Sequence, residues 1–272
     1  MILKKRLTEK KVIVRQDETL DLLFNGSLKI IQKKKGYRFS IDAILIAHFT
    51  WSHHRRADSI IELGTGSGVI PLILAQRFQE SAITGVEVQD SLSELAEKNV
   101  VMSRLADRIT ILKGDFRRLK ETYAPASFDL VVSNPPFYPA TAGRINPGSE
   151  RAIARHELAG SLEDIVKISS YLLKPKGRFI MIYPAFRLID LIEQLRKNGL
   201  EPKLMRIVFS KVNSEGKLVL VSCSKGGRSA LKVLRPLFIY QDKGEYSHEV
   251  QEIYRWVGSP PPGGADPLLL GD

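Results

Sequence analysis

Two short segments hold residue types whose spacing suits chemistry. The first is Asp129-Leu-Val-Val-Ser-Asn134-Pro135-Pro136-Phe137, an apolar run ending in an amide, two prolines and an aromatic ring. Each proline holds φ near about −65° and bars the residue before it from helix, so the loop is stiff and its carbonyls point in set directions. The side-chain oxygen of Asn134 and the carbonyl of Pro135 can then accept both hydrogens of a planar amine or amide. Phe137 can stack on the attached ring, worth about 1–3 kcal/mol on base–aromatic platforms. An exocyclic amine on a base is a poor nucleophile because its lone pair is delocalised into the ring, and two acceptors draw it toward sp³ character. The second segment is Glu62-Leu-Gly64-Thr-Gly66-Ser-Gly68, whose three glycines let the backbone approach a ligand where side chains would collide. Glu87 follows 23 positions after Gly64, where a carboxylate can accept both hydroxyls of a ribose. A nucleoside fits that pair. A Gly-rich turn also serves dinucleotides, or simply packs a helix on a strand, but dinucleotide folds favour G-x-G-x-x-G.

The pattern E-x-G-x-G-x-G resembles class I S-adenosylmethionine-dependent methyltransferases. The resemblance implies that Glu62, Gly64, Gly66 and Gly68 border the methionine part of the cofactor. Glu87 with Val88 would hold the ribose, Asp115 and Phe116 would flank the adenine, and Asn134 would touch both cofactor and substrate. N-P-P-[FY] is shared by N6-adenine methyltransferases, N2-guanine rRNA methyltransferases and the enzyme that methylates a glutamine in release factors. Two further stretches, Lys35-Gly-Tyr-Arg-Phe-Ser-Ile-Asp-Ala43 and Ala154-Arg-His-Glu157, resemble the bacterial tRNA1(Val) adenine-37 N6-methyltransferase family. Lys225-Gly-Gly-Arg228, Pro236-Leu-Phe-Ile-Tyr240 and Gly244-Glu-Tyr246 extend the likeness over residues 17–257. That family implies methyl transfer from S-adenosylmethionine to an adenine N6 in tRNA, leaving S-adenosylhomocysteine. It also sets Phe39, Ser40 and Asp42 against the cofactor's methionine end. A sulfonium is already activated, so positioning and electrostatics supply the acceleration and no metal is needed. A base in folded RNA would be extruded into such a pocket. Asn134, Pro135, Pro136 and Phe137 are the expected catalytic set, and Lys33, Lys34, Lys35, Arg38, Arg144, Arg151 and Arg155 the expected RNA contacts. Three alternatives stay open: a release-factor glutamine methyltransferase, an N2-guanine rRNA methyltransferase, and an RNA-binding module that has lost catalysis.

The elements that must position these residues alternate regularly. Ser59–Leu63 reads as a strand, followed by the Gly-rich turn, a helix to about Phe78 and a strand Ala82–Val88, a βαβ unit. Ser91 and Glu94 are spaced as a capping box for a helix to about Arg104, and Ile109–Leu112 and Phe128–Val132 read as buried strands. Ser161 and Asp164 start another helix, Lys174–Gly177 turns into a strand Arg178–Tyr183, and Leu188–Lys197 is a helix stopped by Gly199. Leu204–Phe209 and Lys217–Ser222 read as an antiparallel pair. The sum is an α/β, Rossmann-like, doubly wound and mostly parallel sheet, with its site in the loops after strands. Before it lie a hairpin turned at Asn25-Gly26, with two central turn residues, and a helix Ile41–Trp51. The expected division is a basic extension over 1–56 packed on the core, the methyltransferase domain over 57–257 and a disordered Pro/Gly-rich tail over 258–272. Residues 138–160, which contain three arginines and no clear periodicity, are expected to form a substrate-gripping flap.

Composition agrees with a polyanion partner. The 272 residues sum to +11, and residues 1–56 alone hold 13 Lys or Arg against 5 Asp or Glu. Hydrophobic residues make up 43%, ample for a core, which excludes a disordered acidic or collagen-like chain. A single cysteine, Cys223, excludes an internal disulfide and fits a reducing cytoplasm. No apolar run approaches the roughly 20 residues that span a bilayer, and no signal peptide is read at the N-terminus, so no membrane association is expected.

Overall fold

The strands of the central sheet are continuous apolar runs because both faces are covered. In the computed structural model, which describes residues 12–36, 38–135, 160–241 and 244–258, the sheet is built from β3 (Ser59–Leu63), β4 (Ala82–Glu87), β5 (Ile109–Lys113), β6 (Phe128–Ser133), β7 (Leu173–Pro184), β8 (Leu200–Phe209) and β9 (Gly216–Lys225). Their order is β5-β4-β3-β6-β7-β9-β8; β9 runs antiparallel to both neighbours and every other pairing among them is parallel. Two short segments, β10 (Lys232–Val233) and β11 (Leu237–Phe238), add to the outer edge of β8. Successive residues point to opposite faces. Ile60, Val132, Ile180 and Ile182 therefore join one core cluster, and Ile61, Val131, Phe179 and Met181 the other.

Helices α1 (Ile41–His53) and α2 (Val69–Arg77) cover the first face, with α6 (His248–Gly258) packed on α1. The segment Val69–Ala75 is buried throughout, which explains its unbroken apolar sequence. The second face carries α4 (Leu162–Leu172) and α5 (Leu188–Lys197), whose Ile165, Ile168, Leu191 and Leu195 enter the second cluster. The expected capping box of α4 is present: Ser161 Oγ accepts from the Asp164 N–H, and the Asp164 carboxylate accepts from the Ser161 N–H. The doubly wound sheet and its antiparallel β8–β9 pair are as the sequence predicts.

Four local readings need correction. Helix α3 (Asp90–Met102) starts after Gln89 and has no side-chain capping bond, so Ser91 lies inside the first turn rather than at the cap. Lys174–Gly177 is not a turn between elements but a bulge within β7: pairing with β6 jumps from Phe128↔Leu173 to Leu130↔Arg178, and Lys176 takes φ +65°. The N-terminal hairpin, β1 (Glu18–Leu23) and β2 (Leu28–Lys33), closes its pairing at Leu23↔Leu28 through a four-residue connection containing a 3-10 turn. The Phe24 side chain is buried there, its ring 5.8 Å from that of Tyr254 on α6, and this burial removes Phe24 from the strand. Helix α6 itself has no counterpart in the sequence reading; Gly258, where the tail was expected to begin, is its last residue, and 259–272 lie outside the described residues.

Candidate active site

The parallel strands β3 and β6 are neighbours in the sheet, and β4 lies on the far side of β3. This is the switch point, where the loops after the strands diverge and leave a crevice at their carboxyl ends. Glu62, Gly64 and Asn134 line one cleft there, together with Phe39, Ala43, Thr65 and Val69. Phe39 arrives from the chain entering α1, so three segments far apart in sequence converge.

The Gly-rich loop is held by its own backbone. The N–H groups of Gly64 and Thr65 both donate to the carbonyl of Val86, at 3.0 and 2.9 Å, which ties the loop to the end of β4. Gly64 takes φ +77° with nothing within 4 Å of the position a Cβ would occupy, leaving open space beside the backbone for a ligand. Gly68 takes φ +81° and opens α2; a Cβ there would lie 3.2 Å from that of Ala96, so it serves the packing of the loop on α3.

Two of the carboxyls expected at the cofactor, Glu62 and Glu87, are buried. Glu62 is 1% exposed and its Oε2 accepts from Thr65 Oγ1 at 2.5 Å. Burial, reinforced by the Glu87 charge and only partly opposed by the Thr65 hydroxyl, pushes its pKa up to about 8. Glu87 accepts the Gly66 N–H at 2.8 Å through Oε2 and the Gln89 N–H at 2.9 Å through Oε1. Burial raises its pKa as well, against the pull of those backbone donors. Asp42, in the first turn of α1, is likewise raised by burial, opposed by Ser40. Burial holds these carboxyls toward their neutral form, a cost that a cationic ligand beside them would offset, and Glu87 retains acceptor capacity for a hydroxyl beyond its backbone donors. An open backbone beside Gly64, a buried carboxyl at Glu62 in the same cleft and an acid with spare acceptors at Glu87 together fit the S-adenosylmethionine implied by the fold.

Beside this cradle, Ser133 at the end of β6 is fully buried and donates through Oγ to the Leu63 carbonyl at 3.0 Å, locking the start of the Asn134-Pro135 loop to the end of β3. Pro135 is buried and Asn134 half-buried. Pro136 and Phe137 lie outside the described residues, as do Arg144, Arg151, Arg155 and all of the expected 138–160 flap except Gly160.

Asp115, Phe116 and Val88 do not line this cleft. The Asp115 carboxylate caps the turn that follows β5 and grips Arg117, which donates through Nε at 2.9 and 2.8 Å. Partial burial opposes its ionisation, but Arg117 outweighs that and lowers its pKa. Phe116 is a core ring, pressed against Gly160, where a Cβ would come within 2.3 Å of it. Val88 is exposed. Among the expected RNA contacts, Lys33 turns inward to Asp17 at 2.8 Å and Glu18 at 3.9 Å, and Arg38 pairs with Asp21 at 2.5 Å and donates to Thr19 and the Lys33 carbonyl. Both cations serve the hairpin. Lys34 and Lys35 stay exposed.

Three supporting residues escape the sequence reading. Asn99 on α3 is fully buried; its Oδ1 accepts the Ile31 N–H at 2.7 Å, and its Nδ2 donates to the carbonyls of Ile31 and Ser67 at 3.0 and 2.9 Å. One side chain thus pins the hairpin to the Gly-rich loop. Gln32 accepts the Phe39 N–H at 3.2 Å and donates to Asp21 at 2.5 Å, fixing the approach of Phe39 to the cleft. Gly85 on β4 leaves room for Thr65, whose Oγ1 would lie 2.9 Å from a Cβ there.

Comparison with known proteins agrees with this architecture. A methyltransferase domain family matches residues 54–233. The chain is 38% identical over 160 residues to the tRNA1(Val) (adenine(37)-N6)-methyltransferase of Porphyromonas gingivalis, a match covering 57% of this chain and 61% of that protein. It is 28% identical over 223 residues to the enzyme of the same name from Bacteroides fragilis, covering 81% of this chain and 92% of that one. Among solved structures, a predicted O-methyltransferase of Agrobacterium tumefaciens superposes with TM-score 0.63 at 18% identity, covering 82% of this chain and 99% of its own. At that identity the likeness is one of fold.

Proposed function

Because the chain belongs to the methyltransferase domain family, we propose that it transfers a methyl group from S-adenosylmethionine to the N6 amine of adenine 37 in tRNA1(Val), in the bacterial cytoplasm. The observation that carries this reading is the shared cleft of Glu62, Gly64 and Asn134, in which a nucleoside cradle and an amide acceptor meet at one switch point. When bound, S-adenosylmethionine supplies an electrophilic methyl on a positively charged sulfur. Glu62 would face its cationic methionine end, and Glu87 would accept its ribose hydroxyls while holding the Gly66 N–H. Asn134 Oδ1 and the Pro135 carbonyl accept the two hydrogens of the target amine, raising electron density on nitrogen and aiming its lone pair. Their rigidity matters because a displaced acceptor loses the alignment that makes the transfer effectively unimolecular. The exposed Lys34 and Lys35 lie in the chain leading to Phe39 and would meet the RNA backbone near the site. Among the described residues no helix is long and apolar enough to cross a membrane, and no group of three His, Cys, Asp or Glu is arranged to hold a metal.

The test is methyl transfer from labelled S-adenosylmethionine to unmodified tRNA, rRNA and release factor, followed by nucleoside and peptide mass spectrometry. A single N6-methyladenosine at position 37 of tRNA1(Val) is expected. Labelling of release factor alone would keep the amide-acceptor chemistry and overturn the substrate.

A further inference from the structure

A second charged feature lies at the opposite end of the central strands, beside the amino ends of β3 and β6. The end of α1 leads through His53-His-Arg-Arg56 into the start of β3, and the β7 bulge supplies Lys174-Pro-Lys-Gly-Arg178 two strands away. The two segments line one open groove of about 440 Å³. Five permanent cations face it: Arg55, Arg56, Lys174, Lys176 and Arg178. The lining holds one carboxylate, Asp129, and its charge is used internally, taking Lys174 at 2.8 Å and the Ser59 N–H at 2.9 Å. His54, set 2.9 Å from Ser222 Oγ, is pushed down to about 4 by burial and then by Arg178; His53 is lowered by burial and then by Arg206, Lys232 and Arg55. Cations gathered from two distant segments repel one another, and nothing in the methyl-transfer chemistry needs them at this end of the strands.

We propose that this groove binds the phosphate backbone of a part of the substrate RNA remote from the target base. The inference rests on the RNA reading above. Strand β3 has five residues, so the groove and the catalytic cleft are separated by roughly 17 Å at about 3.3 Å per residue, a span that a folded RNA covers and a small nucleotide does not. Arg56 and Lys176 are exposed at the groove, so their side chains are available to phosphates without disturbing the core. Guanidinium forks suit paired phosphate oxygens, and a groove of one sign concentrates its field on a polyanion.

The double variant Arg56→Gln/Lys176→Gln tests this by fluorescence-anisotropy titration of two RNAs across a salt series, with S-adenosylmethionine binding and a thermal melt as controls for folding. One RNA is full-length tRNA; the other is a short hairpin holding only the target loop. For full-length tRNA the variant should bind several-fold more weakly, and the slope of log affinity against log salt should shrink by about two, near one per lost contact. Hairpin binding should be unchanged. An unchanged slope on full-length tRNA overturns the groove, as does an equal loss on the hairpin, which would put those cations at the target loop. Methyl transfer is scored separately with wild-type protein. Groove-dependent binding without any methylation of tRNA would overturn the substrate reading and leave the groove standing, whereas methylation with groove-independent binding would do the reverse.

Discussion

Replacing Glu62 by Gln should make the ligand-free protein more stable in alkali while impairing cofactor binding. Glu62 is 1% exposed, and its pKa is pushed from 4.5 to about 8 by burial first and by Glu87 second. Because the folded-state value lies above the unfolded one, the folded chain binds the extra proton between these pH values. The stability of the protonated carboxyl is fully present below about pH 4.5 and is lost as pH rises toward 8. At about 1.4 kcal/mol per pH unit the total loss is about 5 kcal/mol, of which about 4 falls between pH 5 and pH 9. Gln keeps an oxygen to accept the Thr65 hydroxyl and does not ionise, so it escapes this penalty. Urea unfolding of wild type and Glu62→Gln at pH 5, 6, 7, 8 and 9 gives the difference directly, and titration groups common to both proteins cancel. The variant should gain relative stability steadily up to about pH 8 and then level off. The same substitution should weaken S-adenosylmethionine binding by isothermal titration, since a neutral amide cannot balance a cationic ligand. A stability difference that stays constant across the pH range would refute the reasoning and make Glu62 a structural partner of Thr65 only.

Other perturbations separate the parts of the site. Asn134→Ala should reduce turnover at least a hundredfold with S-adenosylmethionine affinity within a few-fold of wild type; equal losses of both would make Asn134 a cofactor contact rather than the acceptor of the target amine. Glu87→Ala removes the acceptor of the Gly66 N–H and of the ribose, and should weaken cofactor binding by about ten- to a hundredfold, from about 1.5–3 kcal/mol for a charged hydrogen bond. An unchanged dissociation constant would remove its ribose role. Asn99→Ala leaves the Ile31 N–H and two carbonyls without partners, and should cost about 2–4 kcal/mol in chemical denaturation while loosening the Gly-rich loop. Lys34→Ala/Lys35→Ala should flatten the salt dependence of tRNA binding, whereas Lys33→Ala should leave it unmoved, because Lys33 is spent on Asp17 and Glu18.

Positive charge illustrates how far composition can be read. The excess within residues 1–56 is plain from counting, but counting does not say which cations are available. Lys33 and Arg38 sit in a basic stretch and pair with acids at and just before β1, since hairpin register brings Asp17 within reach of Lys33 and Asp21 within reach of Arg38. Arg55 and Arg56, by contrast, gain partners of like sign from a bulge more than a hundred residues away. Burial alters the acids in the same way: Glu62 and Glu87 share a type with the exposed Glu121, whose carboxyl is lowered by Arg118 while theirs are raised.

By itself the sequence determined the alternation of strands and helices, the strand-to-helix glycine loop with its acids at Glu62 and Glu87, and the amide at the end of β6. These are legible because period, glycine spacing and proline are local signals that depend only on chain neighbours. Only the tertiary structure decided that Phe39 reaches the cleft through Gln32, that Asn99 welds the hairpin to the cofactor loop, and that Asp115 closes on Arg117 while Phe116 packs into the core. It also turned Phe24 out of its strand to meet Tyr254 on a helix that the sequence pattern does not announce. Each of these depends on which surfaces meet after the sheet has formed, and that information is spread over segments that no local pattern connects.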